Sequence, residues 1–225
     1  MTAKAQDSLA EQIAQHLAER IIRGELPAGE RIGEVKVTQA LQVSRSSVRE
    51  ALLILQRRHL VEILPHRGAQ VSALSPRHVR SLYELLAQLY AMLCRATLRN
   101  WREPAQLQVF EDIQQRLHAC LAKDDIDAFV SHSFELMRAA FPFADNPFLQ
   151  ETLENLLPAV SRTYHLILER RRSEMRRLVE TFDALLPLLL IRDEQRAVQL
   201  LEAYVRHNCS LVLDALADGE SAPCA

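Results

Sequence analysis

Apolar residues recur three and four positions apart through most of the chain, which predicts helices rather than strands. Leu9, Ile13, Leu17, Ile21 and Ile22 line one side of residues 8–23, with Ser8 and Glu11 in capping-box order and Gly24 as a C-cap. GELPAGERIG, 24–33, reads as a loop. Glu34 to Leu41 is a short helix, and Gln42-Val43-Ser44 turns into a second, whose stripe is Val48, Ala51, Leu52 and Leu55 behind the N-cap Ser44. Leu60–Leu64 and Ala69–Leu74 are strand-like runs joined by PHRG, 65–68, as in a hairpin. Ser75 and Pro76 start a new helix, with an apolar face from Val79 through Leu86 and Tyr90 to Leu93. Further helices are expected at about 104–122, 126–140, 148–170, 173–191 and 194–217, with Lys123-Asp124-Asp125 as a break and FPFADNP, 141–147, as a loop.

Two short helices joined by a tight turn and followed by a hairpin form a winged helix-turn-helix. Six helices with short polar connections build an antiparallel bundle around a cavity. The fold class is therefore mainly α: a winged helix-turn-helix over 1–74, a hinge at 75–80, an all-helical domain over 81–217 and a frayed tail over 218–225. Composition agrees, since 225 residues hold only 5 Gly and 9 Pro while 48% are hydrophobic. The net charge of −2 is unevenly spread. Residues 1–80 carry 12 basic against 8 acidic side chains, and the remainder 15 against 21. A basic module on an acidic one fits a nucleic-acid reader joined to a second function. The polar N-terminus has no signal-peptide pattern, and LLPLLLI at 185–191 is too short to cross a membrane. The four cysteines form no CxxC pair and are expected to be reduced thiols of a cytoplasmic protein.

The candidate chemistry sits at the start of the second helix. Arg45 and Arg49 flank its buried stripe four residues apart, so guanidinium groups stand where a recognition helix enters the major groove. Their planar forks suit guanine O6 and N7. An ordinary surface helix with two solvated arginines would show the same pair. The hairpin that follows favours DNA contact, with His66 and Arg67 at its tip as donors for phosphate or minor groove.

The order IIRGELPAGERI followed by VTQALQVSRSSVREALLILQRRHLVEILPHRGAQV resembles the winged helix of GntR-type bacterial transcription regulators over about residues 9–74. The resemblance implies DNA contacts from Arg45, Ser46, Ser47 and Arg49, and from His66, Arg67 and Gly68 in the wing. Two positions depart from the family. Gln42 replaces the usual turn glycine. Val35 stands where many members place a DNA-contacting arginine, with Lys36, a further candidate, about 100° round the helix. The six helices, FADNPFL at 143–149 and RDEQRAVQLLEAY near the end resemble the ligand-responsive domain of the FadR subfamily in its VanR-like form.

Many members of that subfamily hold a divalent metal with one Asp and three His. The resemblance puts those roles at Ser131, Glu135, Phe182 and Tyr204, so the usual ligand positions are replaced. A slip of about one to three residues would instead bring in His132 and His207, with Glu135 or Asp183 as oxygen donors. His132, Glu135 and His207 are thus the metal candidates, and with Tyr90 and Tyr204 they are the candidates for binding an effector. Leu86 and Tyr90 stand where the family shows an arginine and a glutamate, which removes the usual means of holding a small carboxylate. A larger acyl or aromatic effector is expected, or none. ERRRSEMRR, 169–177, reads either as a solvated helix end or as a catcher of anionic groups. Leu85 and Met92, off the main stripe, point to a homodimer, whose two-fold axis would match a palindromic operator in double-stranded DNA. The function expected is an effector-modulated repressor. The alternatives are a DNA-binding regulator or architectural protein with a non-functional sensory domain, and an enzyme built on the bundle. The last lacks paired Glu-x-x-His elements, since HSFE at 132–135 runs in reverse and occurs once.

Overall fold

The computed structural model describes residues 8–64 and 68–220. The chain divides into two compact units, Met1–Leu74 with Glu154–Arg162, and Ser75–Leu153 with Thr163–Ala225.

In the first unit, α1 (Leu9–Ile22) starts at Ser8, whose Oγ accepts from the Glu11 N–H at 3.2 Å. α2 (Glu34–Leu41) and α3 (Arg45–Arg57) follow, joined by a three-residue turn. Ile13, Leu17 and Ile21 of α1 pack on Val48, Leu52 and Leu55 of α3, so the two predicted stripes bury each other. An Arg58–Glu11 ion pair ties the end of α3 to the start of α1. The sheet has three strands rather than the two expected. β2 (Val61–Leu64) and β3 (Gly68–Val71) form the antiparallel hairpin, and β1 (Arg31–Ile32) adds to the free edge of β3 in the order β1-β3-β2. β1 lay inside the stretch read as loop, because two residues carry no periodicity and their pairing partners, Ala69 and Gln70, are distant in sequence. Ala69 and Val71 turn into the core at period two. Arg162, in the helical segment that belongs to this unit, donates from Nη1 to the Ser72 carbonyl at 2.7 Å.

The second unit is built from six helices, the middle of one of them, Glu154–Arg162, being counted with the first unit. α4 (Pro76–Asn100) is capped by Ser75, so residues 76–80 are its first turns. A 3-10 turn (Pro104–Leu107) leads into α5 (Gln108–Lys123), followed by α6 (Ile126–Ala144), α7 (Pro147–Arg170), α8 (Ser173–Ile191) and α9 (Glu194–Glu220). α4 packs along α9 and α6, and α5 packs against α6 and α8. Phe129, Leu86, Leu117 and Leu153 are among its fully buried side chains. α6 is longer than its predicted end at 140 and runs through Phe141-Pro142-Phe143-Ala144. Pro142 lacks an N–H and ordinarily breaks a helix. Here it falls in the last turn, where Phe141 is buried and Phe143 stacks on Phe110 at 6.0 Å between ring centroids. Packing outweighs the lost bond, and only Asp145 and Asn146 link α6 to α7. The C-cap of α8, Arg192, lays its guanidinium over the Trp101 ring at 4.1 Å and donates to the carbonyls of Leu98 (2.9 Å) and Trp101 (2.7 Å) at the end of α4. Among the described residues no helix is long and apolar enough to cross a membrane.

Candidate nucleic-acid interface and ligand cavity

Ser44 organises the tip of α3. Its Oγ accepts from the Ser47 N–H at 3.1 Å and lies 2.8 Å from both Ser46 Oγ and Ser47 Oγ. Three hydroxyls and the first free N–H groups of the helix therefore meet at one end, a favourable place for a phosphate. Arg45 and Ser46 are exposed and Ser47 is half-buried. The Arg45 side chain makes no hydrogen bond or ion pair among the described residues. Arg49, 65% exposed, donates from Nε to Glu34 Oε2 at 2.9 Å, which fixes the plane of its guanidinium and leaves both terminal nitrogens to meet a ligand. Sequence reasoning missed Glu34, because the pair spans 15 residues across the turn.

The turn keeps its shape without glycine. Gln42 sits at φ 54° and ψ 43°, the left-handed conformation that glycine adopts freely, and its N–H donates to the Thr38 carbonyl. Lys36 is exposed, as is Val35 beside it. Arg31, Lys36 and Arg49 line one open recess with Glu34 and Gly68. Gly68 has φ +79°, and a Cβ there would come within 3.2 Å of the Ile32 carbonyl. Glycine is thus required by the close approach of β1 to β3. His66 and Arg67, the other wing candidates, lie outside the described residues.

The second unit holds a cavity of about 100 Å³. Its wall is mostly leucine and phenylalanine from α4, α5, α6, α8 and α9, with Tyr90, Tyr164 and Tyr204 as its main polar members. Tyr164 and Tyr204 share a hydrogen bond, and Asn208 Nδ2 donates to the Tyr164 hydroxyl at 3.4 Å. Thr97 and Ser133 donate their hydroxyl protons to the carbonyls of Leu93 (2.9 Å) and Phe129 (2.8 Å) in their own helices. Burial raises the pKa of all three tyrosines and pushes the Cys94 thiol up to about 11, so these groups stay protonated. Among the described residues, no Asp, Glu, Lys, Arg or His lines the cavity.

The candidate effector residues therefore separate. Tyr90 and Tyr204 line the cavity, while His132, Glu135 and His207 do not. His132 Nδ1 lies 3.0 Å from Glu135 Oε1, and Arg116 donates to Glu135 Oε2 at 2.6 Å. Burial alone would raise the Glu135 pKa, but hydrogen bonds and charge from His132 and Arg116 outweigh it and hold the carboxyl below its ordinary value. His207 pairs instead with Glu174 at 2.8 Å. Among the described residues, no three His, Cys, Asp or Glu side chains gather to hold a metal. The expected metal roles are half displaced. Phe182 and Tyr204 do face the cavity, but on α6 the facing residues are Ser133 and Met137 rather than Ser131 and Glu135. A shift of two residues turns a helix by about 200°, which takes Glu135 off the wall. Serine, methionine, phenylalanine and tyrosine do not fit a divalent metal as a donor set. The wall agrees with the apolar character expected of an effector. In the basic run, Arg170 donates to the Ala215 carbonyl, Arg172 pairs with Asp124 and Arg171 lies 4.0 Å from Asp214. Its first arginines thus serve the fold.

Comparisons with known proteins bear on both units. The description "Bacterial regulatory proteins, gntR family" matches residues 9–71, and the FCD domain matches residues 48–207. The HTH-type transcriptional regulator McbR of Escherichia coli K12 is 22% identical over 91% of this chain and 93% of its own. The gluconate operon transcriptional repressor of Bacillus subtilis 168 is 21% identical over 84% of this chain and 79% of its own. The solved structure of E. coli McbR/YncC superposes with a TM-score of 0.78 at 21% identity, covering 93% of this chain and 99% of that one. A putative GntR regulator from Rhodococcus sp. RHA1 gives 0.72 at 22% identity, with the same coverage. At these identities the structures share the fold.

Proposed function

The chain belongs to the GntR family of bacterial regulatory proteins and carries the FCD domain, and from that premise we propose that it represses transcription as a homodimer on a palindromic operator. The observation that carries the DNA reading is the tip of α3. Arg45 is exposed and unpaired among the described residues, Arg49 is held in plane by Glu34, and three serine hydroxyls ring the helix N-terminus. That layout suits direct reading of guanine by the arginines and phosphate contact by the serines and the helix end. Lys36 and the wing, with His66, Arg67 and Gly68, would steady the docking.

Leu85 and Met92 support the dimer. They are 46% and 47% exposed, seven residues apart, and so lie on one face of α4. The FCD domain implies a small-molecule effector, and the apolar wall of the cavity favours an acyl or aromatic compound over a sugar acid or dicarboxylate. Such a compound regulates only by binding one arrangement of the dimer better than another.

The test is selection of duplexes from DNA flanking the protein's own coding region, followed by footprinting and light scattering. A dimer protecting two symmetric half-sites is expected, and Arg45→Ala is expected to weaken operator binding by about 1–3 kcal/mol. A monomer, or an Arg45→Ala variant that binds as tightly as the parent, would overturn the proposal.

A further inference from the structure

We infer that the cavity is a site for a small uncharged molecule, one six-membered ring or a six-carbon chain in size, carrying a single oxygen that accepts a hydrogen bond from Tyr90. The inference rests on the effector-regulated reading above and narrows its ligand class.

Three observations lead to it. The first is volume. An apolar cavity of about 150 Å³ takes up benzene. This one, at about 100 Å³, leaves room for a single ring at most unless the helices part.

The second is charge. The wall carries no basic side chain, so a carboxylate entering it would leave water without a counter-ion. Such a transfer is strongly unfavourable, whereas a neutral ring gains from it.

The third is the state of the wall's hydroxyls. Tyr164 and Tyr204 bond each other, and Thr97 and Ser133 donate to their own helices. Gln114 gives its amide N–H to Asp183. Tyr90 alone among these makes no hydrogen bond to any described residue. Its ring is enclosed deeply enough that burial raises its pKa, yet the residue is only half-buried and is one of those lining the cavity. A protonated hydroxyl so placed is a donor that reads an alcohol, aldehyde or ketone oxygen. Sequence alone hid this role, because Tyr90 falls on the same helical stripe as the core leucines.

The experiment measures thermal midpoints and operator binding of the full chain with benzyl alcohol, benzaldehyde, toluene and benzoate. Benzyl alcohol, benzaldehyde and toluene are expected to raise the midpoint, the first two also to alter operator affinity, and benzoate to do neither. Tyr90→Phe is expected to weaken the two oxygen-bearing ligands by about two- to twelvefold, the loss of one hydrogen bond, and to leave toluene unchanged. Ala140→Leu, which fills the void, is expected to abolish all three midpoint shifts. Benzoate binding as well as benzyl alcohol, or Tyr90→Phe binding benzyl alcohol like the parent, overturns the ligand class. If benzoate also changes operator affinity, the effector reading survives that result. No midpoint shift with any of the four likewise overturns the inference. A separate screen of larger metabolites against operator binding then decides whether the bundle senses anything.

Discussion

Replacing Glu34 with methionine, which has no comparable acceptor, separates two roles that one carboxylate can play beside DNA. Glu34 accepts from Arg49 Nε at 2.9 Å and is 25% exposed against 65% for the arginine. A pair this open contributes at most about 1 kcal/mol to folding, so the variant folds with only a small drop in thermal midpoint. Its effect on binding is larger and has two parts. A carboxylate about 8 Å from a phosphate repels it by about 0.5 kcal/mol in water. Removing it tightens every duplex about twofold. Against this, a long side chain immobilised at an interface costs about 0.5–1.5 kcal/mol, and Glu34 has already met that cost for Arg49. Glu34→Met removes the acceptor along with the charge and releases the side chain, which weakens only the duplex whose bases Arg49 reads. The electrostatic gain cancels in the ratio of the two affinities, so the preference for operator over scrambled duplex should fall about two- to twelvefold. Fluorescence anisotropy on both duplexes at one salt concentration measures it. If both affinities rise together and the ratio stays fixed, Glu34 only repels DNA and the positioning argument is wrong.

Gln42→Gly should stabilise the protein by about 0.5–1 kcal/mol. The left-handed conformation costs a non-glycine residue about 1–2 kcal/mol, and glycine's extra unfolded-state freedom returns part of that. A fall in the denaturation midpoint would show that the turn bears no strain. The lowered pKa of Glu135 means that its folded form holds a proton less tightly than its unfolded form. The stability it supplies is complete above the unfolded carboxyl pKa and is lost as pH falls through the folded one. Glu135→Gln should therefore be less stable than the parent near pH 7, with the gap closing under acid. A gap independent of pH would mean that the His132–Arg116 cluster contributes through shape alone.

Much of the first unit was legible because its signals are local. Ser44 caps, Val48 to Leu55 repeat at helical spacing, and two strand-like runs flank a glycine-containing loop. β1 was not, since its only partner lies almost forty residues on. Gln42 could be seen to replace a glycine, but only the geometry shows that the turn absorbs it. In the bundle, the helices were readable from their polar breaks, and the misread end of α6 came from trusting Pro142 over the phenylalanines around it. The cavity wall was half legible. Tyr90 follows from its stripe and Tyr204 from the family resemblance, whereas that resemblance put Ser131 and Glu135 two residues out of step with the helix face. Ligation needs directions in space, and an error of two positions reverses them.

The wall of the cavity lacks any group that changes charge near neutrality. Its most acidic proton with a resolved value belongs to Cys94, at about 11, and the tyrosines hold theirs more firmly still. From mild acid to mild alkali the lining keeps one electrical state. Capture of an uncharged molecule by such a wall would draw no pH dependence from the lining itself, whatever the charged groups elsewhere on the protein contribute.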